Sequence, residues 1–98
     1  MLHILNKSPL ETNTLDTVLR LAPAGALLLI EDAVYAATQG SAAEPKLRQA
    51  MSRLKVYALA PDLAARGMAD RLIDGVVTVD YDAFVELVVE YPNSQSWL

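Results

Sequence analysis

At 98 residues the chain has room for a single domain, residues 1–98, with a thin core. Its formal charge of −4, from 8 basic and 12 acidic residues, argues against direct nucleic-acid binding by this chain, because phosphate backbones are held by clustered Lys and Arg. With no cysteine and one histidine, the chain has no disulfide, no thiol nucleophile, and no thiolate or multi-histidine metal site; no cofactor is expected.

The composition is 53% hydrophobic, above the roughly 45–50% of an ordinary soluble domain. A small domain has little interior for that excess, and large apolar patches left outside mark partners. Oligomerisation is the first expectation. The opening MLHILNKSP lacks a basic n-region and a long apolar h-region. The longest apolar run, around Ala26–Ile30, is far short of the roughly 20 residues that cross a bilayer. A cytoplasmic location with no membrane contact is therefore expected.

In chain order, Met1–Leu5 reads as a strand. Ser8, Pro9 and Glu11 resemble a capping box with Pro at the first helical position, and Asn13 or Thr14 offers a competing cap one turn later. Leu15, Val18, Leu19 and Ala22 then follow a helical period until Pro23 and Gly25. Ala26–Ile30 is continuously apolar, as in a central parallel strand covered on both faces. Asp32 is placed to cap a short helix through Tyr35 and Ala37, Thr38–Ala43 reads as a loop, and Glu44-Pro45 opens a helix to about Met51. Leu54–Leu59 is the next strand, Leu63–Arg66 a short helix closed by Gly67, and Val76–Val79 another strand. Asp80 and Asp82 begin the last helix, with Phe84, Leu87, Val88 and Tyr91 as its inner stripe, and Pro92-Asn93 leaves a tail, Ser94–Leu98. The βαβαβαβα order predicts an α/β fold: one small three-layer α/β/α domain with a mainly parallel sheet.

Chemistry in such a sheet belongs at the carboxyl ends of the strands, here Asn6-Lys7, Glu31-Asp32, Ala60-Pro61 and Asp80-Tyr81. Gly25, Gly40, Gly67 and Gly75 are scattered and match no phosphate-binding pattern. Glu31 and Asp32 are the most suggestive acids, since paired carboxylates can divide acid and base roles; the plainer reading is a capping Asp32 and a solvated Glu31. His3, inside a strand, reads as a packed and hydrogen-bonded residue. Ser8 and Ser41 lack a nucleophile-elbow setting and read as turn residues, and Lys7 reads as a solvated loop charge. No catalytic, cofactor-binding or metal-binding residue is assigned. Val85 and Val89 are apolar yet lie off the inner stripe of the last helix, which suits either a wide buried face or a subunit contact. Trp97, the one tryptophan, sits in a tail that would ordinarily fray. It is expected to dock either on this domain or on another chain. Val85, Val89 and Trp97 are thus the candidate interface residues.

Four segments, read together, resemble the TusB/DsrH family: MLHILNKSP, LLLIEDAVYAA, LKVYALAPDLAARG and VDYDAFVELVVEYPNSQSWL. They cover nearly the whole chain in order, with Ala33 where that family commonly has glycine. The resemblance implies a DsrE/F/H-like fold and a sulfur-relay subunit. By that likeness its partners would be TusC-like and TusD-like subunits in a heterohexamer, with TusA-like and TusE-like carriers delivering and removing persulfide sulfur bound for 2-thiouridine at the tRNA wobble position. The alternatives are a DsrH-like subunit of a DsrEFH complex in sulfur oxidation and a free-standing small-molecule binding domain. Many DsrH proteins carry a cysteine in the first helix near the position of Val18. This chain has none anywhere, and a persulfide requires a thiolate sulfur. The expected role is therefore that of a non-catalytic subunit.

Overall fold

Five strands, all parallel, make one sheet in the computed structural model, which describes residues 1–98. They are β1 (Leu2–Leu5), β2 (Gly25–Leu29), β3 (Leu54–Leu59), β4 (Val77–Val79) and β5 (Ser94–Trp97), in the order β4-β3-β2-β1-β5. The helices are α1 (Thr14–Leu21), α2 (Glu44–Ala50), α3 (Ala60–Ala65) and α4 (Tyr81–Glu90), with a 3₁₀ segment at Glu31–Ala37. The expected three-layer parallel α/β fold is what forms.

The continuous apolar run of β2 follows from its central place. Leu27 and Leu29 point into one layer, Ala26 and Leu28 into the other, and all four are fully buried. The layers are unequal. On the first face α1, the 3₁₀ segment, α2 and α3 enclose a cluster of 20 buried residues that includes Leu15, Val18, Val34, Leu47 and Leu63. On the second face α4 works alone over a cluster of 8, and Leu87 is its only fully buried side chain. Burial at about 25 cal/mol per Å² makes the first layer the main source of stability. The second layer is thin, and α4 leaves much of its own surface outside.

Gly25, at φ +113°, enters β2 against the chain start: a Cβ there would lie 2.3 Å from the Met1 carbonyl oxygen. Only glycine allows that approach. Gly67, at φ +68°, follows α3 in the left-handed conformation expected of it.

Several local expectations are corrected. Ser8 does not begin a helix. Its Oγ accepts from the Leu10 N–H at 3.2 Å and its carbonyl from Glu11 N–H at 3.0 Å, so the Pro9 region is a turn and α1 starts at Thr14, with Asn13 in the N-cap position but making no side-chain capping bond. Asp32 caps nothing: the 3₁₀ segment follows Ile30, and the Asp32 carboxylate pairs with Arg66 instead. Val88 is not on the inner stripe of α4 but exposed, about 100° around the helix from Leu87. The tail Ser94–Leu98 is mostly strand: β5 pairs in parallel with β1, setting Leu2 opposite Ser94 and Leu5 opposite Trp97. No helix is long and apolar enough to cross a membrane.

Candidate functional site

The carboxyl ends of β1, β2 and β3 meet in a polar cluster built on one bent backbone. Glu31 leaves β2 with φ +50°, the one non-glycine residue in the left-handed region. That conformation costs an ordinary side chain about 1–2 kcal/mol and is held here from outside. The Glu31 N–H donates to Asp62 Oδ2 at 2.7 Å, and Asn6 Nδ2 donates to Glu31 Oε2 at 3.4 Å. Asp62 comes from the first turn of α3, so its carboxylate stitches α3 to the start of the 3₁₀ segment. Arg66, at the end of α3, closes the cluster. Its Nε donates to Asp32 Oδ1 at 3.0 Å and its Nη1 to the Asp62 carbonyl at 3.2 Å. The three acids of this edge are thus tied to a guanidinium, a backbone amide and a side-chain amide. Nothing in the cluster is a nucleophile, and no group of three His, Cys, Asp or Glu side chains converges as a metal site. The arrangement fixes the Ile30–Asp32 turn.

Next to that cluster lies a shallow groove of about 390 Å³. Ile30, Leu59, Tyr81, Phe84 and Val85 line it, with Glu31 and Asp62 at its polar end. Tyr81 and Val85 belong to α4, so the groove runs into the outer face of that helix. There Tyr81, Val85 and Val89 are 61%, 61% and 78% exposed. Asp80 starts α4 by accepting from the Ala83 N–H at 2.8 Å, which satisfies an otherwise free amide of the first turn. A second depression, about 380 Å³ between α1 and α2, is lined by Asp16, Arg20, Lys46 and Arg53 among others. Its cations are largely engaged: Lys46 bonds Asp16 at 2.7 Å, and Arg53 donates to the carbonyls of Leu19 and Ala22. It is a solvated ion-pair surface.

The residues singled out from sequence fall apart in space. Glu31 and Asp32 are adjacent but committed to different partners, Glu31 to Asn6 and Asp32 to Arg66. Ser8 is buried in its turn, and Ser41 Oγ lies 3.5 Å from the Ala36 carbonyl. Lys7 is exposed. His3 is buried in β1, where its Nδ1 accepts a hydrogen bond from Trp97 Nε1 at 3.2 Å. Burial, and then the positive Met1 terminus, hold its imidazole below the ordinary value of 6.5, in keeping with an acceptor nitrogen that must stay unprotonated. Trp97 therefore docks on its own domain, half-buried against the larger core. Val85 and Val89 stand free on α4. Val18, at the position where the family resemblance suggested a thiol, is fully buried. Sequence reasoning missed Asn6, Asp62 and Arg66, none of which carries a motif; the Asp62-to-Arg66 spacing of four within a helix was the available signal.

A family model described as "DsrH like protein" matches residues 7–94. Protein TusB of Escherichia coli K12 is 38% identical over 97 residues, covering 99% of this chain and 100% of that one. Protein TusB of Pectobacterium atrosepticum is 42% identical over 98 residues with the same coverage. Among solved structures, the ychN protein of E. coli superposes with a TM-score of 0.84 at 21% identity, over 98% of this chain and 97% of that one. The protein of unknown function MTH1491 from Methanobacterium thermoautotrophicum gives 0.71 at 18% identity, over 98% and 96%. These two share the fold. The sequence matches run through every element from β1 to β5, and on them the chain belongs to the DsrH/TusB family.

Proposed function

We propose that this chain is a non-catalytic subunit of a TusBCD-type sulfur-relay complex, which passes persulfide sulfur toward 2-thiouridine at the tRNA wobble position. The observation that carries the reading is full-length similarity to TusB proteins in a chain that has no sulfur nucleophile of its own. Persulfide chemistry needs a thiolate to accept and release sulfur. A family member without cysteine acts on the partners that have one, by holding and orienting them. TusC-like and TusD-like subunits are the proposed partners in a heterohexamer, with TusA-like and TusE-like carriers reached through them, all in the cytoplasm. The interface surfaces we assign are Val85 and Val89 on α4 and the exposed part of Trp97 on β5. The relatives' TusB names favour tRNA thiolation over the DsrEFH alternative in sulfur oxidation.

Coexpression with the two partner subunits, native mass measurement and quantification of tRNA 2-thiouridine test this. The expected result is one three-component assembly, and loss of thiolation in cells lacking this chain. A chain that stays alone under coexpression, with thiolation unchanged by its deletion, contradicts the reading.

A further inference from the structure

We propose that the outer face of α4 docks a partner protein surface carrying an apolar seam beside a row of lysine or arginine side chains, and that a twofold contact with a second copy of this chain does not fit there. The inference names the chemistry of the partner and rests on the function proposed above.

Two rows run along α4. Tyr81, Val85 and Val89 follow one another at intervals of four and are exposed, with Val88 at their border. Asp82, Glu86 and Glu90, each one residue further on, make a parallel row and are exposed too. In a helix of 3.6 residues per turn, the apolar row lies opposite Leu87 and the acid row runs beside it, from about 140° away from Leu87 at Asp82 to about 60° at Glu90. Neither row is matched within the chain. Acids four apart on a helix repel, and the acid row contains two such pairs, Asp82 with Glu86 and Glu86 with Glu90. Glu90 also lies in the last turn, where the helix dipole disfavours an anion. No Lys or Arg follows Arg71 in the sequence, and none of the four ion pairs of the structure includes these acids. The helix thus carries a repulsive charge row next to an exposed apolar row. Cations set beside an apolar seam would relieve both.

The same charges argue against self-association through this face. A twofold contact sets identical patches together, here acid row against acid row, and like charges across an interface cost affinity. For a head-to-tail contact, two of the basic side chains of the α1/α2 surface are already in use: Lys46 is paired with Asp16 and Arg48 with Glu44, both at 2.7 Å.

Binding to the proposed TusC-like and TusD-like subunits is measured at low and high salt for the wild-type chain, a Glu86→Lys/Glu90→Lys variant and a Val85→Ser/Val89→Ser variant. All four substituted positions are exposed, so folding is retained, and circular dichroism checks it. Wild-type binding is expected to weaken as salt rises, the charge-reversed variant to bind about tenfold more weakly with little salt dependence, and the serine variant to lose about tenfold or more at every salt concentration. The wild-type chain alone is expected to sediment as a monomer throughout. Unchanged affinity in both variants, or a wild-type homodimer that either variant dissolves, overturns the inference while the proposed function stands. Absence of any complex with the wild-type chain removes the function and the inference together.

Discussion

Charge reversal at Glu86 alone should move stability and assembly in opposite directions. Glu86 stands four residues from both Asp82 and Glu90, so Glu86→Lys converts two repulsive pairs into two attractive ones. Each such pair is worth about 0.2–0.5 kcal/mol in either sense, and the Lys-before-Glu order of the second pair is the weaker one, which puts the total near 1 kcal/mol at low salt. For a domain of 60–100 residues, about 1 kcal/mol moves the melting midpoint by about 4–8 °C. Thermal unfolding of the isolated chain, followed by circular dichroism at low salt and again at about 1 M salt, reads this directly. The variant should melt higher at low salt, and its advantage should shrink at high salt, while its binding to partner subunits weakens. A melting point at low salt equal to or below wild type would refute the claim that the acid row is an electrostatic burden on the free chain.

Leu87→Ala removes the only fully buried side chain of α4 and should cost about 2–5 kcal/mol, read as a drop in the denaturant midpoint; a loss below about 1 kcal/mol would mean that α4 is held by something else. Asp62→Ala should destabilise the chain by about 0.5–1.5 kcal/mol by removing the acceptor that holds the Glu31 N–H, whereas Asp32→Asn should leave tRNA thiolation intact, because that carboxylate only pairs with Arg66. The imidazole of His3 sits below its ordinary value of 6.5 through burial and the Met1 terminus. The unfolded chain therefore takes up this proton more readily than the folded one, so the contribution of neutral His3 is complete above pH 6.5 and is lost as pH falls through the lower folded value. In a pH series of stability, His3→Gln should flatten that acid-side decline. Trp97 fluorescence should redden over the same range as its Nε1–H loses its acceptor; a pH response identical in His3→Gln would place the titration elsewhere.

Much of the fold was legible because burial on two faces leaves a plain mark. The unbroken run of β2 and the apolar stretch Val56–Leu59 of β3 were readable from apolar continuity, and Asp80 announced α4. What escaped was decided by tertiary partners. Ser94–Trp97 has little intrinsic strand character and becomes β5 because β1 offers a free edge and Trp97 finds His3. The Ser8 signature for a helix start was real chemistry applied to a turn. At the carboxyl edge, Glu31 and Asp32 were visible as a pair, but their roles depend on Asp62 and Arg66, which are some 30 residues away in sequence. The exposed side of α4 is half legible: Val85 and Val89 stand out as apolar residues off the inner stripe, while Val88, expected inside, is exposed, because Ala83, Phe84, Val85, Leu87, Val88 and Val89 run round most of the helix and leave its rotation unfixed.

The most direct test of a thiol-free organising subunit is the rate of sulfur transfer through the reconstituted relay with and without this chain. Labelled persulfide is supplied by a TusA-like donor and trapped on each component for mass analysis. Label is expected on partner cysteines only, and transfer is expected to collapse when this chain is omitted or its α4 face is altered. Full-rate transfer by the remaining subunits in its absence would contradict it.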